Sequence, residues 1–257
     1  MIYLLICSVA FIASGITFLS GFGLGTLLLP AFAVFFAVES AVALTAVVHF
    51  LNGVFKLVLV WRNIDWKIVV RFGLPAIVGA FIGAWLLLTL ADGRALFSYS
   101  LFGRSIDVVP AKLIVGLLLL FFASAEALPA FRKVSFPSRY QPLGGLLSGF
   151  FGGLAGMQGA LRSAFLVKAG LSKEVYVGTG SAIAFLIDVS RLSVYARLIR
   201  DRHADFDYML LGAAVLSAFL GAALGNRYLK KITLTSIQVI VAAFLFPVAL
   251  GLISGVL

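Results

Sequence analysis

The sequence predicts an all-α polytopic protein, a bundle of transmembrane helices built as two inverted repeats, each a glycine-broken hairpin followed by three spanning helices. Three observations predict it. Of 257 residues, 62% are hydrophobic and 12% charged, so almost every long stretch runs apolar without a charge; a soluble protein of this length would show polar helix faces. Ten apolar stretches can be counted, five in each half of the chain. Each series opens with a glycine-rich break, Ser20 to Phe32 (SGFGLGTLLLPAF) and Ser148 to Phe165 (SGFFGGLAGMQGALRSAF). Glycine-broken segments in corresponding positions of two halves point to a binding site inside a membrane bundle.

The first stretch, 2–19, has no basic region before it and no cleavage site, and reads as a retained segment rather than a signal peptide. Residues 2–38 as one helix would measure about 55 Å against a hydrocarbon core of about 30 Å, so they enter and return. The stretch 24–38 is then a half-helix behind the first break. Stretches 41–61, 68–90 and 112–130 are long enough to cross. The basic linker Phe131 to Gln141 (FRKVSFPSRYQ) separates a first repeat, 1–130, from a second, 142–257. The second series runs 141–156, the half-helix 158–170, then 175–198, 207–225 and 234–256. Irregular backbone at the two breaks is tolerable only where protein buries it or water reaches it.

The halves correspond in detail. Leu74 to Ala84 (LPAIVGAFIGA) parallels Leu211 to Ala222 (LGAAVLSAFLGA), both with small residues spaced for close helix approach, and Glu39 parallels Glu174. Each hairpin returns to its own side and three crossings follow, so the halves are inverted. On that count eleven loop lysines and arginines fall on one side, including Arg62, Arg71, Arg132, Lys133, Lys230 and Lys231, and six on the other, including Arg94, Arg104 and Arg202. The basic excess puts the first side in the cytoplasm and both termini outside.

Arg162 is the most informative residue, because a charge near mid-membrane costs roughly 3 to over 10 kcal/mol and so faces a partner or an aqueous path. One reading is a structural arginine that snorkels or pairs with an acid. The other is anion coordination, for which a guanidinium fork matches two oxygens and the glycine tips Gly23, Gly25, Gly156 and Gly159 offer backbone N–H groups at half-helix N-termini. Gln158 and Ser163 flank Arg162 as donors to substrate or to the broken backbone. His49, Asn52 and Lys56 share one stripe of their segment. His49 and Asn52 line a cavity or hydrogen-bond between helices, and Lys56 snorkels. Asp188 and Arg191, at i and i+3, form an ion pair, unless Asp188 is a proton-coupling carboxylate, a role for which His49 is the other candidate. Thr45 and Thr179 are substrate-facing hydroxyls or helix back-bonders.

The net charge of +10 lies in short loops between apolar runs, the distribution of orientation signals rather than of a nucleic-acid face. Cys7, the single cysteine, reads as a small core residue. The sequence contains no HExxH, no clustered Cys or His set and no P-loop, so nothing in it calls for an enzyme, a metal or a cofactor.

SGFGLGTLLLPAF, ESAVALTAVVHFLNG and DWKIVVRFGLPAIVGAFIGA, with SGFFGGLAGMQGALRSAFLV, KEVYVGTGSAIAFLIDVSRL and DFDYMLLGAAVLSAFLGAALG, resemble the two repeats of the TauE/SafE family of membrane permeases over nearly the whole chain. The resemblance implies a secondary transporter, often an exporter, of sulfite, organosulfonates or related organic anions in the bacterial inner membrane. The family's second break commonly runs into apolar residues and a proline, whereas here it reads GMQGALRSAF, which implies a subgroup with its own anion preference. The reading that follows has Arg162, Gln158, Ser163, the glycine tips, His49, Asn52 and Thr179 around a small anion. An anion channel and a non-transporting membrane subunit of a sulfur-metabolism complex are the alternatives. Small-residue helix faces leave packing within one protomer or in a homodimer equally open.

Overall fold

A computed structural model describes residues 1–20, 23–101, 103–128, 134–202, 206–228 and 234–257. Among them are ten α-helices: α1 (Ile2–Ser20), α2 (Leu24–Ala33), α3 (Val38–Val60), α4 (Trp66–Ala91), α5 (Pro110–Ala127), α6 (Gln141–Ala155), α7 (Gly159–Leu166), α8 (Lys173–Asp201), α9 (Tyr208–Tyr228) and α10 (Leu234–Ser254). Every apolar stretch counted in the sequence becomes one of them. The linker residues 131–133, with Arg132 and Lys133, and the loop lysines Lys230 and Lys231 lie outside the described residues, and Gln141, where the linker meets the second series, is the first residue of α6.

The helix boundaries follow local chemistry. Asp65 caps α4 by accepting from Ile68 N at 3.1 Å, and Ser172 caps α8 by accepting from Val175 N at 3.4 Å. Asp207 accepts from Leu210 N at 2.9 Å and from the Tyr3 hydroxyl at 2.7 Å; these two bonds hold its carboxyl below the usual carboxylate range and tie the start of α1 to the start of α9. Pro110 opens α5, where its missing N–H costs nothing.

Among the described residues, three helices, α3, α4 and α9 through Gly225, are long and apolar enough to cross a membrane by length and composition. Their outward faces fit lipid rather than water. Leu74, Val78, Phe81, Ile82 and Trp85 form one exposed stripe on α4, and Leu216, Leu220 and Leu224 form another on α9. A stripe of that size would be a liability in water and is ordinary in hydrocarbon.

Inside the bundle, α4 packs on α6, α1 on α9, α5 on α10 and α3 on α8. Glycine makes the first two contacts close. A Cβ at Gly145, Gly149 or Gly153 of α6 would stand 2.0–2.1 Å from the carbonyl oxygens of Phe72, Ala76 and Ala80 on α4. On α9, a Cβ at Gly221 or Gly225 would stand 2.1 and 2.3 Å from the carbonyls of Phe11 and Gly15 on α1. With no lipid-excluding force between membrane helices, such backbone contact supplies the attraction.

One element departs from the all-helical expectation. Strands β1 (Phe97–Leu101) and β2 (Arg104–Val108) pair antiparallel, Phe97 opposite Val108 and Leu101 opposite Arg104, and form a small hairpin between α4 and α5. It is fastened to the end of α10: Tyr99 donates to Ser254 O at 2.7 Å, and Lys112 at the start of α5 donates to Gly255 O at 3.3 Å.

Candidate functional site: a cavity between two helix breaks

α2 opens behind Gly23, whose φ of 112° only glycine adopts without strain, and α6 ends in Gly156 at φ 72° before α7 begins; residues 21 and 22 of the first glycine run lie outside the described residues. A Cβ at Gly25 would stand 2.9 Å from Gly156 O, so the start of α2 touches the end of α6 with nothing between them. Beside this contact lies a small cavity of about 10 Å³, room for about one water molecule, lined by Gly23, Gly25, Thr26, His49, Gly156, Gln158, Gly159, Ala160 and Arg162.

The geometry gives the cavity two kinds of donor. The first N–H groups of α2 and α7 lack intrahelical partners and carry the positive ends of their helix dipoles. The guanidinium of Arg162 is buried, and its Nη1 donates to Gln158 Oε1 at 3.4 Å, one turn away on the same helix. Gln158 is the hinge of the arrangement. Its backbone carbonyl accepts from Ser148 Oγ at 2.8 Å, and its Nε2 donates to Asp188 Oδ1 at 3.2 Å.

Asp188, fully buried on α8, is held by three side chains. His49 Nδ1 lies 2.6 Å from its Oδ2, Gln158 reaches its Oδ1, and Arg191 Nε donates to Oδ1 at 3.0 Å. Arg191 Nη2 is nearer still, at 2.7 Å, but lacks hydrogen-bond alignment, so Nε carries the directed bond and Nη2 adds charge proximity. The ion pair expected from the i, i+3 spacing therefore forms. Arg191 also donates from Nη1 to Gly152 O at 3.1 Å, and the Tyr195 hydroxyl donates to Gly153 O. These α8 side chains tie the last turn of α6 to α8, adding a second donor to Gly152 O, which also accepts from Gly156 N at 2.9 Å.

Other residues singled out by sequence lie elsewhere. Thr179 accepts from Asp65 N at 2.9 Å where α8 meets the start of α4, away from the cavity. Asn52 is buried and accepts from Ser14 Oγ at 3.1 Å, the interhelical bond left open as its second reading. Ser163 turns its hydroxyl back to Gly159 O at 2.9 Å, and Lys56 is half-buried two turns beyond His49. Thr45 is fully buried, and its hydroxyl makes no hydrogen bond. Thr26, which lines the cavity and donates to Gly23 O at 2.9 Å, was missed, as were Tyr195 and Gly53, whose Cβ would stand 3.8 Å from Asp188 Oδ2. The hydroxyl of Thr26 directly after the GFGLG run was the available signal. Tyr195 gave none, since an aromatic in an apolar helix reads as core. Among the described residues, no group of His, Cys, Asp and Glu could hold a metal ion.

A buried arginine and two helix starts around one small cavity, in an apolar helical bundle, suit an anion in a membrane. No curated protein and no solved structure matches the chain. A profile of the sulfite exporter TauE/SafE family, membrane permeases of the sulfite- and anion-exporter type, matches residues 6–252, nearly the whole length. The chain belongs to the sulfite exporter TauE/SafE family.

Proposed function

We propose that this protein is a secondary transporter that exports small anions, such as sulfite, organosulfonates or related organic acids, across the bacterial inner membrane by alternating access. The observation that carries the reading is the cavity between the two breaks, where Arg162, Gln158 and two helix starts converge. Arg162 binds the anion through charge-assisted hydrogen bonds, Gln158 orients that guanidinium, and Gly23, Gly25, Gly156 and Gly159 let backbone approach the ligand. His49 completes the wall. Asn52, Ser163 and Thr179 hold the framework.

The architecture of the proposal is two inverted repeats, 1–130 and 142–257, joined by the linker 131–141. It is supported by register: α2 and α7 start at Leu24 and Gly159, and α3 and α8 at Val38 and Lys173, both pairs 135 residues apart. It is supported by direction too. Glu39 pairs with Arg202 at 2.7 Å, His49 with Asp188, and Gly178 packs against Asn63, so the corresponding helices α3 and α8 run antiparallel. The contacts Tyr3–Asp207, Glu39–Arg202 and Lys112–Gly255 fall at one end of the bundle; the basic-residue count assigns that end, with both termini, to the outside.

The test is uptake of labelled sulfite, sulfate and methanesulfonate into proteoliposomes carrying wild type, Arg162→Leu or Arg162→Lys. Saturable uptake in wild type, reduced at least about tenfold by Arg162→Leu at normal protein yield and partly kept by Arg162→Lys, is the expected result. Wild-type uptake in Arg162→Leu would remove the arginine from the site.

A further inference from the structure

We infer that His49 is the proton carrier of this transporter, and that a proton on its Nε2 and an anion in the cavity bind together. The inference rests on the anion-transport reading above and adds its coupling. Of the cavity-lining side chains that join the buried polar network, Gln158, Arg162 and His49, only the His49 imidazole can both take up and release a proton. It stands midway along α3, with its side chain 17% exposed. Asp188, the rival carrier, is fully buried and already engaged by His49, Gln158 and Arg191, so a proton arriving there would have to break a matched ion pair.

The geometry assigns the proton to one atom. Asp188 Oδ2 accepts from Nδ1–H at 2.6 Å, which fixes the neutral tautomer with Nε2 unprotonated. An added proton therefore sits on Nε2, and an oxyanion beside it accepts the new N–H. The charges around His49 make the two events reinforce each other. From α8 it faces Asp188 and Arg191, a neutral pair; Arg162 of α7 shares its cavity; Lys56 lies two turns along α3. α2 brings no titratable side chain, and α9 brings none between Tyr208 and Gly225. The basic groups of α4 and α5, Lys67, Arg71 and Lys112, stand at helix starts, the first two exposed and the third bonded to Gly255 O. In the empty cavity a protonated His49 opposes Arg162 at low dielectric, and an anion between them relieves that repulsion. By linkage, the anion raises the proton affinity of Nε2 by the factor by which the proton raises anion affinity.

The experiment uses sulfate and methanesulfonate, whose own charge does not change near neutral pH, in proteoliposomes with and without an imposed difference of about one pH unit. One proton per anion gives wild type about tenfold accumulation of methanesulfonate per unit, and the same for sulfate when the membrane potential is clamped at zero, since sulfate with one proton carries a net negative charge. His49→Asn keeps a donor to Asp188 without a titrating Nε2, and His49→Gln places an amide nitrogen where Nε2 stands; in both, the ratio of uptake with and without the gradient falls to about one. A gradient response kept in either variant overturns His49 as the carrier. Wild-type exchange that ignores the gradient overturns the coupling and leaves anion transport standing. Absence of any exchange of sulfate, methanesulfonate or sulfite by wild type removes the transport reading, and this inference with it.

Discussion

The two walls of the cavity are built on similar backbones and furnished in opposite ways. Counted from its first residue, α2 carries Leu27 where α7 carries Arg162, and it is preceded by Gly23 where α7 is preceded by Gln158. The helices that follow repeat the contrast at one position, with Gly53 on α3 at the place of Asp188 on α8, while Lys56 keeps a cation at the place of Arg191. Polar side chains are concentrated on the α7–α8 wall, while α2 offers a hydroxyl and bare backbone. The difference teaches that a short broken helix needs no charge of its own. Charge stands on the helix whose neighbour, α8, carries the balancing Asp188.

The largest expected break in that contrast is Asp188→Leu. It strips the buried Arg191 of its partner and His49 of its acceptor, and removal of one member of a buried pair costs about 3–5 kcal/mol, so the purified protein should lose thermal stability or fail to accumulate. Next comes Leu27→Arg, which gives the bare wall the charge of the other. With no acid placed to meet it, a central arginine costs about 3 kcal/mol on insertion scales, and the double variant with Arg162→Leu should not regain uptake. Recovery in the double variant would mean that the walls are interchangeable.

Gly25→Ala comes third. Its Cβ would press on Gly156 O at 2.9 Å, a backbone atom that cannot swing away, so we expect a loss of about 1–3 kcal/mol by thermal melting in detergent, with reduced uptake. Gly53→Ala is the control and the smallest effect. Its Cβ would meet only Asp188 Oδ2 at the ordinary distance of 3.8 Å, so stability should stay within about 0.5 kcal/mol of wild type. Equal effects of the two alanines would show that close approach at the breaks is not what selects glycine.

Much of this was legible in the sequence, for a physical reason. Hydrocarbon demands long apolar runs and satisfied backbone, so composition and glycine breaks expose helix number and order almost directly, and α1 to α10 follow the ten stretches within a few residues. The hairpin at Phe97 to Val108 was not legible. β1 is five residues long with side chains largely exposed on both faces, and it carries no apolar alternation to announce it. The site was legible in part. Spacing put Asp188 and Arg191 together because i, i+3 is a local relation, and charge in an apolar segment singled out Arg162. The destinations of Thr179, Asn52 and Ser163 were not, because period identifies the face of a helix and says nothing of which helix meets it. Asp65 N, Ser14 and Gly159 O are partners that only the packing reveals.

The glycine contacts also set a timetable for biogenesis. α6 finds its groove soon, since Gln141 emerges 50 residues after Ala91 closes α4. α1 has to wait. The first residue of its partner α9, Tyr208, comes 188 residues after Ser20, or about 10 to 40 s at translation rates of ~5–20 residues per second. For that interval α1 has its packing face, at Phe11 and Gly15, turned to lipid or to the insertion machinery, so it enters the membrane long before the helix that covers it.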